Sequence, residues 1–344
     1  MIRRVTFFGP LLFLGLVAVA ATLSACGQGQ VITGTQPTAV PFTSGTVFVS
    51  DPSKNQIAIF APSPGPNTIP ANPIQGSATQ LNGPVSMAFD GNHNLYVSNY
   101  NPTTNSSSIT VFSVGSQGNV APTLAISGSN TQLGVVSGIA VDSSLNIYVS
   151  NCSNTSPNCS TGTSSILVFA KNANGNVAPM ATIGGPQTLL AGPRGLGFDI
   201  AGNLWVANSG NASVTQYSNP SQGGNLTPKT IIQGSATNLQ TPSDVIIDAS
   251  SNIYVADSTQ NAIYVFAASA AGNASPIRTI QGSNTKLNAP SGIALAADGT
   301  LYVANTNDVL LFPPVSGVPP NTNVAPEATL SNTLGAVSDV ELSI

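Results

Sequence analysis

Charged side chains are scarce in this 344-residue sequence, because 8 Lys and Arg with 12 Asp and Glu make up only 6% of it. Ordinary soluble domains carry about 25%. Nucleic-acid binding needs clustered basic residues, so no nucleic-acid partner is expected. Apolar residues reach 41%, enough for a core, which excludes charge-driven disorder. Uncharged polar residues, Gly and Pro replace the missing charge, and this composition favours short β-strands joined by turns.

Histidine occurs once, at His93. One histidine cannot supply a nucleophile–His–Asp set together with a metal site, and the sequence contains neither a phosphate-binding loop nor a zinc-ligand spacing. His93 is predicted to be a surface turn residue. We assign no catalytic residue from such motifs.

A basic and then apolar segment opens the chain. Arg3 and Arg4 precede the apolar residues 5–23, which end in Leu-Ser-Ala-Cys at Cys26. This pattern resembles the bacterial lipoprotein signal. The resemblance implies cleavage after residue 25, acylation of Cys26 by chains such as palmitate, and a lipid-anchored position in the bacterial cell envelope facing the extracytoplasmic side. An uncleaved membrane anchor and an ordinary cleaved signal are the alternatives. Residues 26–44 are predicted to be the lipidated cysteine and a flexible tether.

Two further cysteines, Cys152 and Cys159, lie seven residues apart. In an exported chain this pair predicts a disulfide bond. The alternative, a metal site, lacks additional cysteine or histidine ligands nearby.

A strand-like phrase recurs six times with a mean spacing of about 51 residues. Its copies end at Asp51, Asn99, Asn151, Asn208, Asp257 and Asn305. Four strand-like runs recur in each period, and we name them a to d from the innermost outward. Four strands per period of this length predict propeller blades. The chain begins on a b strand and ends on an a strand. The prediction is therefore an all-β, six-bladed β-propeller over residues 45–344, with four antiparallel strands per blade and a ring closed by the C-terminal strand joining the first blade.

Aromatic residues recur at one position of strand b and one of strand c. They are Phe48, Tyr96, Tyr148, Trp205, Tyr254 and Tyr302 on b, and Phe60, Phe112, Phe169, Tyr217, Phe266 and Phe312 on c. One aromatic per blade at a fixed position favours packing between blades over sugar stacking. Asp90, Asp142, Asp199 and Asp248, which precede strand b, are predicted to form Asx turns.

The phrase Pro290-Ser-Gly-Ile-Ala, followed by Gly299-Thr-Leu-Tyr-Val-Ala-Asn, resembles the NHL repeat of six-bladed propellers. Similar propellers include scaffolds, receptors, lactonases and lyases, so this resemblance implies a fold and no single function. Likeness to gluconolactonase-type propellers implies a divalent metal held by Glu, Asn and Asp at the channel mouth. Their usual Pro-Asn-Gly and Pro-Asp-Gly phrases are absent here. Similar streptogramin lyases use a histidine base, whereas His93 is expected on the opposite face.

Two sets of residues are expected at the channel mouth. The first comprises the six Asp and Asn residues that end the repeated phrase, and it is predicted to stabilise turns because it recurs in every blade. The second lies at the start of strand a and comprises Ser86, Gly138, Arg194, Asp244, Gly292 and Asp339. Asp244 and Asp339 stand out because their counterparts are mainly Gly or Ser. They could bind a ligand or a metal such as Ca²⁺ or another divalent ion.

Glu341 aligns with small or apolar residues of the other blades, namely Ala88, Ala140, Gly197, Ile246 and Ala294. Two alternatives remain open for it. It is either a buried acid, which must be paired, metal-bound or protonated, or an exposed residue at a frayed terminus. With Asp244 and Asp339 it completes the candidate channel-mouth site.

The segments after strand b are longer in the second and third repeats than elsewhere. They predict a raised lip beside the channel, in which Tyr100 is a candidate binding residue. Neutral growth of loops is the alternative, since longer surface loops cost little stability.

These observations favour a surface-anchored lipoprotein whose propeller is a non-catalytic binding or scaffold module without a cofactor. Its partner would be a protein, peptide or glycan at the propeller face, and the lipid anchor would attach it to the membrane. One alternative is a metal-dependent hydrolase of lactonase type that uses Asp244, Asp339 and Glu341. Another is a structural protein of the envelope or matrix.

Overall fold

The computed structural model describes residues 42–66, 68–153, 162–314, 321–331 and 333–343. They belong to one compact unit, Ala39–Ile344. Six sheets of four antiparallel strands surround a central channel, and one further short strand joins the fifth sheet. The predicted six-bladed propeller is therefore confirmed. Among the described residues, no helix has both the length and the apolar character needed to span a membrane.

Each blade is listed here from its innermost to its outermost strand. Blade 1 contains β25 (Asp339–Leu342), β1 (Val47–Asp51), β2 (Gln56–Phe60) and β3 (Ile74–Gln75). Blade 2 contains β4 (Pro84–Phe89), β5 (Leu95–Asn101), β6 (Ser106–Phe112) and β7 (Leu124–Ile126). Blade 3 contains β8 (Val135–Val141), β9 (Ile147–Cys152), β10 (Ser164–Phe169) and β11 (Ala181–Gly184).

Blade 4 contains β12 (Pro193–Phe198), β13 (Leu204–Asn208), β14 (Ser213–Tyr217) and β15 (Thr230–Gln233). Blade 5 contains β16 (Pro242–Ile247), β17 (Ile253–Asp257), β18 (Ala262–Phe266) and β19 (Arg278–Gln281), with β23 (Asn321–Thr322) along its outer edge. Blade 6 contains β20 (Gly292–Leu295), β21 (Leu301–Ala304), β22 (Val309–Phe312) and β24 (Ala328–Leu330). The 3₁₀ helices are Ser77–Thr79, Ser129–Thr131, Pro186–Thr188, Pro220–Gln222, Ser235–Thr237 and Ser283–Thr285.

The two ends of the propeller meet in blade 1. Strand β25 pairs antiparallel with β1, with Val340 opposite Val49 and Leu342 opposite Val47. Next to this pairing, the Ser343 amide donates to the Thr46 carbonyl at 2.9 Å. The C-terminal strand therefore closes the ring, as the order of the repeats predicts.

The core consists of apolar clusters that lie between neighbouring blades. All twelve aromatic residues of the two predicted columns are buried. The Tyr148 ring of blade 3, for example, meets the Phe198 ring of blade 4 edge to face, with centroids 5.1 Å apart. The aromatic columns therefore hold blades together, as predicted, and are not available for sugar stacking.

Neighbouring blades are also joined at their outer edge by a recurring contact that we call the outer latch. An asparagine in the c–d loop of one blade accepts a hydrogen bond from the 3₁₀ helix after strand d of the preceding blade, as Asn119 Oδ1 does from the Ala78 amide at 2.8 Å. The latch asparagines are Asn119, Asn176, Asn225, Asn273 and Asn323. Gly76 permits the first latch, because its φ is 113° and a Cβ there would lie 2.5 Å from Asn119 Oδ1.

The same c–d loops run parallel to the outermost strand of the preceding blade. Isolated bridges join Ile74 to Gly118, Ile126 to Gly175, Ile183 to Gly224 and Ile232 to Gly272. In blade 5 this contact lengthens into the pairing of β19 with β23. The outer strand edges of blades 1 to 5 are therefore partly covered by the following blade.

Candidate active site

The six innermost strands line the channel, and their lining side chains change from mainly polar to mainly apolar along it. Near the start of these strands lies a cavity of about 80 Å³, bounded by Arg194, Asp244, Asp339 and five serines. We call it the polar cavity. Beyond it lies a cavity of about 320 Å³ whose lining is apolar except for Glu341. We call this second cavity the apolar funnel. Two of the three candidate acids therefore face the first cavity and one faces the second.

Asp244 links blade 5 to blade 6 through hydrogen bonds. Its Oδ1 accepts the amide hydrogen of Val245 at 2.8 Å, and its Oδ2 accepts that of Ile293, on the adjacent inner strand, at 2.8 Å. Burial raises the pKa of Asp244 from 3.8 to about 7. Near neutral pH this carboxyl is therefore divided between its charged and neutral forms.

Asp339 makes the same contacts between blade 1 and blade 2. Its Oδ1 accepts the Val340 amide at 2.9 Å and its Oδ2 accepts the Met87 amide at 2.8 Å. The side chain is only 7% exposed. Burial, and after it the charge of Asp244, raises the pKa of Asp339 well above its usual range. Asp339 therefore holds its proton more tightly than an exposed aspartate does.

Two glycines on the preceding blades make room for these carboxyl groups. A Cβ added to Gly195 would lie 1.9 Å from Asp244 Oδ1, and one added to Gly292 would lie 2.2 Å from Asp339 Oδ1. The sequence prediction placed Arg194 at the position equivalent to Asp244, and this assignment is wrong by one residue. The pairing of Leu196 with Val206 matches that of Val245 with Val255, so the counterpart of Asp244 is Gly195. The spacing from the preceding proline agrees, because Gly195 follows Pro193 by two residues as Asp244 follows Pro242.

Arg194 nevertheless lines the polar cavity with Asp244 and Asp339. Burial lowers the pKa of its guanidinium, but arginine remains charged in proteins. The polar cavity thus combines one permanent cation with two carboxyl groups whose pKa values are raised.

Glu341 lies in the middle of β25, where it pairs with Phe48. Of the two alternatives for this residue, the frayed exposed terminus is therefore wrong. The residues predicted to align with Glu341, such as Ile246 and Ala294, likewise pair with the aromatic residue of strand b in their own blades. Burial, followed by the charges of Asp339 and Asp244, raises the pKa of Glu341 well above its usual range. Glu341 is therefore an acid that faces the apolar funnel and holds its proton more tightly than an exposed glutamate does.

The three acids do not form a metal centre. Within the described part of the chain, no group of three or more His, Cys, Asp or Glu residues is arranged to hold a metal ion. A calcium ion needs six to eight oxygen ligands, so the residues present do not fit the divalent ion that likeness to gluconolactonase-type propellers implies.

The six Asp and Asn residues that end the b strands are buried. Each accepts backbone amides of the loop that leads to an inner strand. Asp257 Oδ2, for instance, accepts the amides of Gln240 at 2.7 Å and Thr241 at 2.9 Å. The predicted turn-stabilising role of this set is confirmed, since its acceptors are engaged by the protein's own backbone.

Two other candidates, His93 and Tyr100, lie away from the channel. His93 is exposed in the turn before β5, with a φ of 62°. Tyr100 is part of β5 and partly buried, and only Pro102 to Asn105 separate β5 from β6. The predicted long loop of blade 2 is therefore mostly an extension of the hairpin, which corrects that prediction. A binding role for Tyr100 stays a prediction.

The cysteine predictions depend on residues that are not described. Cys26 and Cys159 lie outside the described residues, and Cys152 ends β9. Lipidation at Cys26 and the Cys152–Cys159 disulfide both stay predictions.

The family described as "Lactonase, 7-bladed beta-propeller" matches residues 17–311. Its description has seven blades, whereas the described residues of this chain form six four-stranded sheets. Among curated proteins, none matches the chain.

Several solved structures share the fold. A nidogen–laminin complex chain is 16% identical, covering 87% of this chain and 98% of its own, with a TM-score of 0.59. The periplasmic gluconolactonase of Pseudomonas aeruginosa is 12% identical, covering 87% of this chain and 99% of its own, with a TM-score of 0.55. A putative 6-phosphogluconolactonase from Bacteroides uniformis is 12% identical, covering 84% and 83%, with a TM-score of 0.56. At these identities the likeness establishes the fold alone.

The match to a family of enzymes overturns the expectation of a non-catalytic binding or scaffold module. That expectation rested on the absence of histidine-based motifs. The polar cavity instead offers carboxyl groups with raised pKa values beside an arginine, a combination that composition and motif searches do not detect.

Proposed function

Because the chain belongs to the lactonase family of β-propellers, we propose that it is a hydrolase that opens lactone rings in its channel. The observation that carries this proposal is the polar cavity, whose lining includes both Asp244, with a pKa of about 7, and Arg194. A general base works best when its pKa is close to the working pH. Asp244 meets that condition without a metal ion or a histidine.

In the proposed reaction Asp244 accepts a proton from a water molecule as the water oxygen attacks the lactone carbonyl. The guanidinium of Arg194 stabilises the negative charge that develops on the carbonyl oxygen. The ring C–O bond then breaks, and protonated Asp244 returns its proton to the leaving alkoxide. The product is a hydroxy acid, which ionises in solution. Serine hydroxyls around the cavity supply hydrogen bonds for the attacking water.

Asp339 shares the cavity with Asp244, and two adjacent carboxyl groups do not both ionise readily. Burial and the charge of Asp244 raise the pKa of Asp339 well above its usual range. This difference favours Asp244 over Asp339 as the base.

The variant Asp244→Asn tests the assignment. We expect kcat on a responsive lactone to fall by about 100-fold or more, the usual contribution of a general base. The wild-type rate should rise with pH around an apparent pKa near 7, because the ionised form of Asp244 is the base. Both are measured in a pH-stat with γ- and δ-lactones, which records the acid released.

Asp257→Asn is the matched control, because four other blades carry Asn at this position and its side chain faces a loop instead of the channel. It should retain wild-type kinetics. Undiminished turnover in Asp244→Asn, with an unchanged pH profile, would remove Asp244 from the mechanism. A wild-type protein that hydrolyses none of the tested lactones would contradict the proposed lactone hydrolysis.

The position of the protein in the cell is a separate proposal, supported by the segment that ends at Cys26. We propose that this cysteine is acylated and anchors the propeller in the bacterial envelope, facing the extracytoplasmic side. Cys26→Ser is expected to move the protein from the detergent-extracted membrane fraction to the soluble fraction. Equal membrane retention of wild type and variant would contradict acyl anchoring, and Cys152→Ser serves as the control for loss of a cysteine.

A further inference from the structure

The residues that line the channel change from polar to apolar along the inner strands. In β16, Asp244 lines the polar cavity and Ile246 lines the apolar funnel, and in β25 Asp339 and Glu341 occupy the same two positions. Fourteen of the fifteen residues that line the apolar funnel are apolar or glycine, and Glu341 is the exception. The two cavities are lined by successive parts of the same strands, so they follow one another along the channel.

The funnel is large enough to bind a small molecule. Its volume of about 320 Å³ lies within the range of ligand pockets, roughly 300–1,000 Å³. Phe89, Phe198 and Ile247 line it near the ends of their strands. On the same face Ile200, in the turn that follows β12, is 85% exposed. The approach to the funnel therefore also presents apolar surface.

The charges of the channel argue against an anionic substrate. Phosphate groups are usually recognised by several arginines or by helix N-termini. The funnel lining contains no cation, and Arg194 is the one cation of the polar cavity, where it faces two carboxyl groups. A sugar lactone with many hydroxyls would find one polar side chain in the funnel, Glu341, besides polar backbone atoms.

We propose that the substrate is a neutral lactone that carries an aliphatic substituent. This inference rests on the proposed lactone hydrolysis and adds the substrate class. The ring enters first and places its carbonyl in the polar cavity beside Asp244 and Arg194. The aliphatic chain lies behind it in the apolar funnel. The order of polar and apolar groups in such a substrate matches the order of the two linings along the channel.

A series of γ-lactones that share one ring and differ in alkyl chain length tests this assignment, with a polyhydroxylated δ-lactone as the polar comparison. We expect kcat/KM to rise by about fourfold for each added CH₂ until the funnel is filled, the factor expected when a methylene is buried. A flat dependence on chain length, or a preference for the polyhydroxylated lactone, overturns the substrate class and leaves lactone hydrolysis standing.

Ala294→Ile reduces the funnel with a side chain that blade 5 already carries at the equivalent position, Ile246. It should lower the preference for the long-chain over the unsubstituted lactone by at least about tenfold. Ala201→Ile is the matched control, because it adds the same bulk to an exposed turn on the same face, outside the funnel. An unchanged preference in Ala294→Ile overturns the placement of the chain.

Binding measured by calorimetry with Asp244→Asn separates the two proposals. Affinity that increases with chain length, without turnover by the wild type, supports the apolar funnel and overturns lactone hydrolysis. Affinity that does not depend on chain length overturns the funnel assignment, whatever the wild type hydrolyses.

Discussion

A chain that ends at Ser338 is expected to lose the cooperative unfolding transition of the propeller. Strand β25 is the innermost strand of blade 1, and it pairs with β1 over four residues. Its Val340 is fully buried in the cluster between blades 1 and 6. Without β25 the edge of β1 is open, this cluster loses its apolar cover, and the channel loses one-sixth of its wall. Circular dichroism melting and limited proteolysis of the truncated chain would measure the effect.

A synthetic peptide of residues 336–344 provides the control for this truncation. Added in excess, it should restore a concentration-dependent melting transition, because a binder of the native state stabilises it by mass action. Replacement of Val340 by Asp in the full chain should be similarly disruptive, since an unpaired charge would be buried. If the truncated chain had the same melting transition as the full-length protein, the pairing of β25 with β1 would not be required for the stability of the propeller.

The propeller is expected to be more stable at pH 5 than at pH 8. Asp244, Asp339 and Glu341 have pKa values raised by burial, to about 7 in the case of Asp244. Between the pKa values of the unfolded and folded chains, the folded state binds more protons than the unfolded state. The free energy of unfolding therefore falls as pH rises through this window, by up to about 1.4 kcal/mol per pH unit for each proton. Denaturant titrations from pH 4.5 to 8.5 measure the slope.

Glu341→Gln should flatten this slope and raise the free energy of unfolding at pH 8, because the amide cannot ionise in the apolar funnel. Glu327→Gln makes the same chemical change at an exposed site outside the channel, and the stability difference between pH 5 and pH 8 should persist in it. A free energy of unfolding that increases from pH 5 to pH 8 would mean that these acids are not buried in the folded protein.

The repeat spacing was sufficient to predict the blades, the closure by β25 and the inward position of Asp244, Asp339 and Glu341. These features depend on the alternation and spacing of residues, which a sequence shows directly. The contacts of Asp244 and Asp339 with backbone amides could not be predicted, since they depend on how closely neighbouring inner strands approach. The position of Arg194 was misassigned by a count of one residue that the sequence itself could have corrected, since Gly195 follows Pro193 by two residues as Asp244 follows Pro242.

The main functional prediction, a non-catalytic module, was wrong because a general base was sought as a histidine or as part of a metal set. The lactonase-type hydrolase with Asp244 was therefore only an alternative. In the proposed mechanism an ordinary aspartate acquires its role through burial. One signal was present in the sequence. The second and third residues after the position of Asp244 are apolar or glycine in every blade, with Glu341 as the exception, and this could have indicated the apolar funnel.

The loops along the outer strand edges have a consequence for contacts between molecules. Like-charge repulsion between molecules is weak when 6% of residues are charged, and exposed strand edges pair readily with those of other molecules. In blades 1 to 5 the following blade already occupies part of that edge. The ring geometry thus shields edges that low charge would leave unprotected, and we expect shortening of a single c–d loop to expose one such edge to pairing with another molecule.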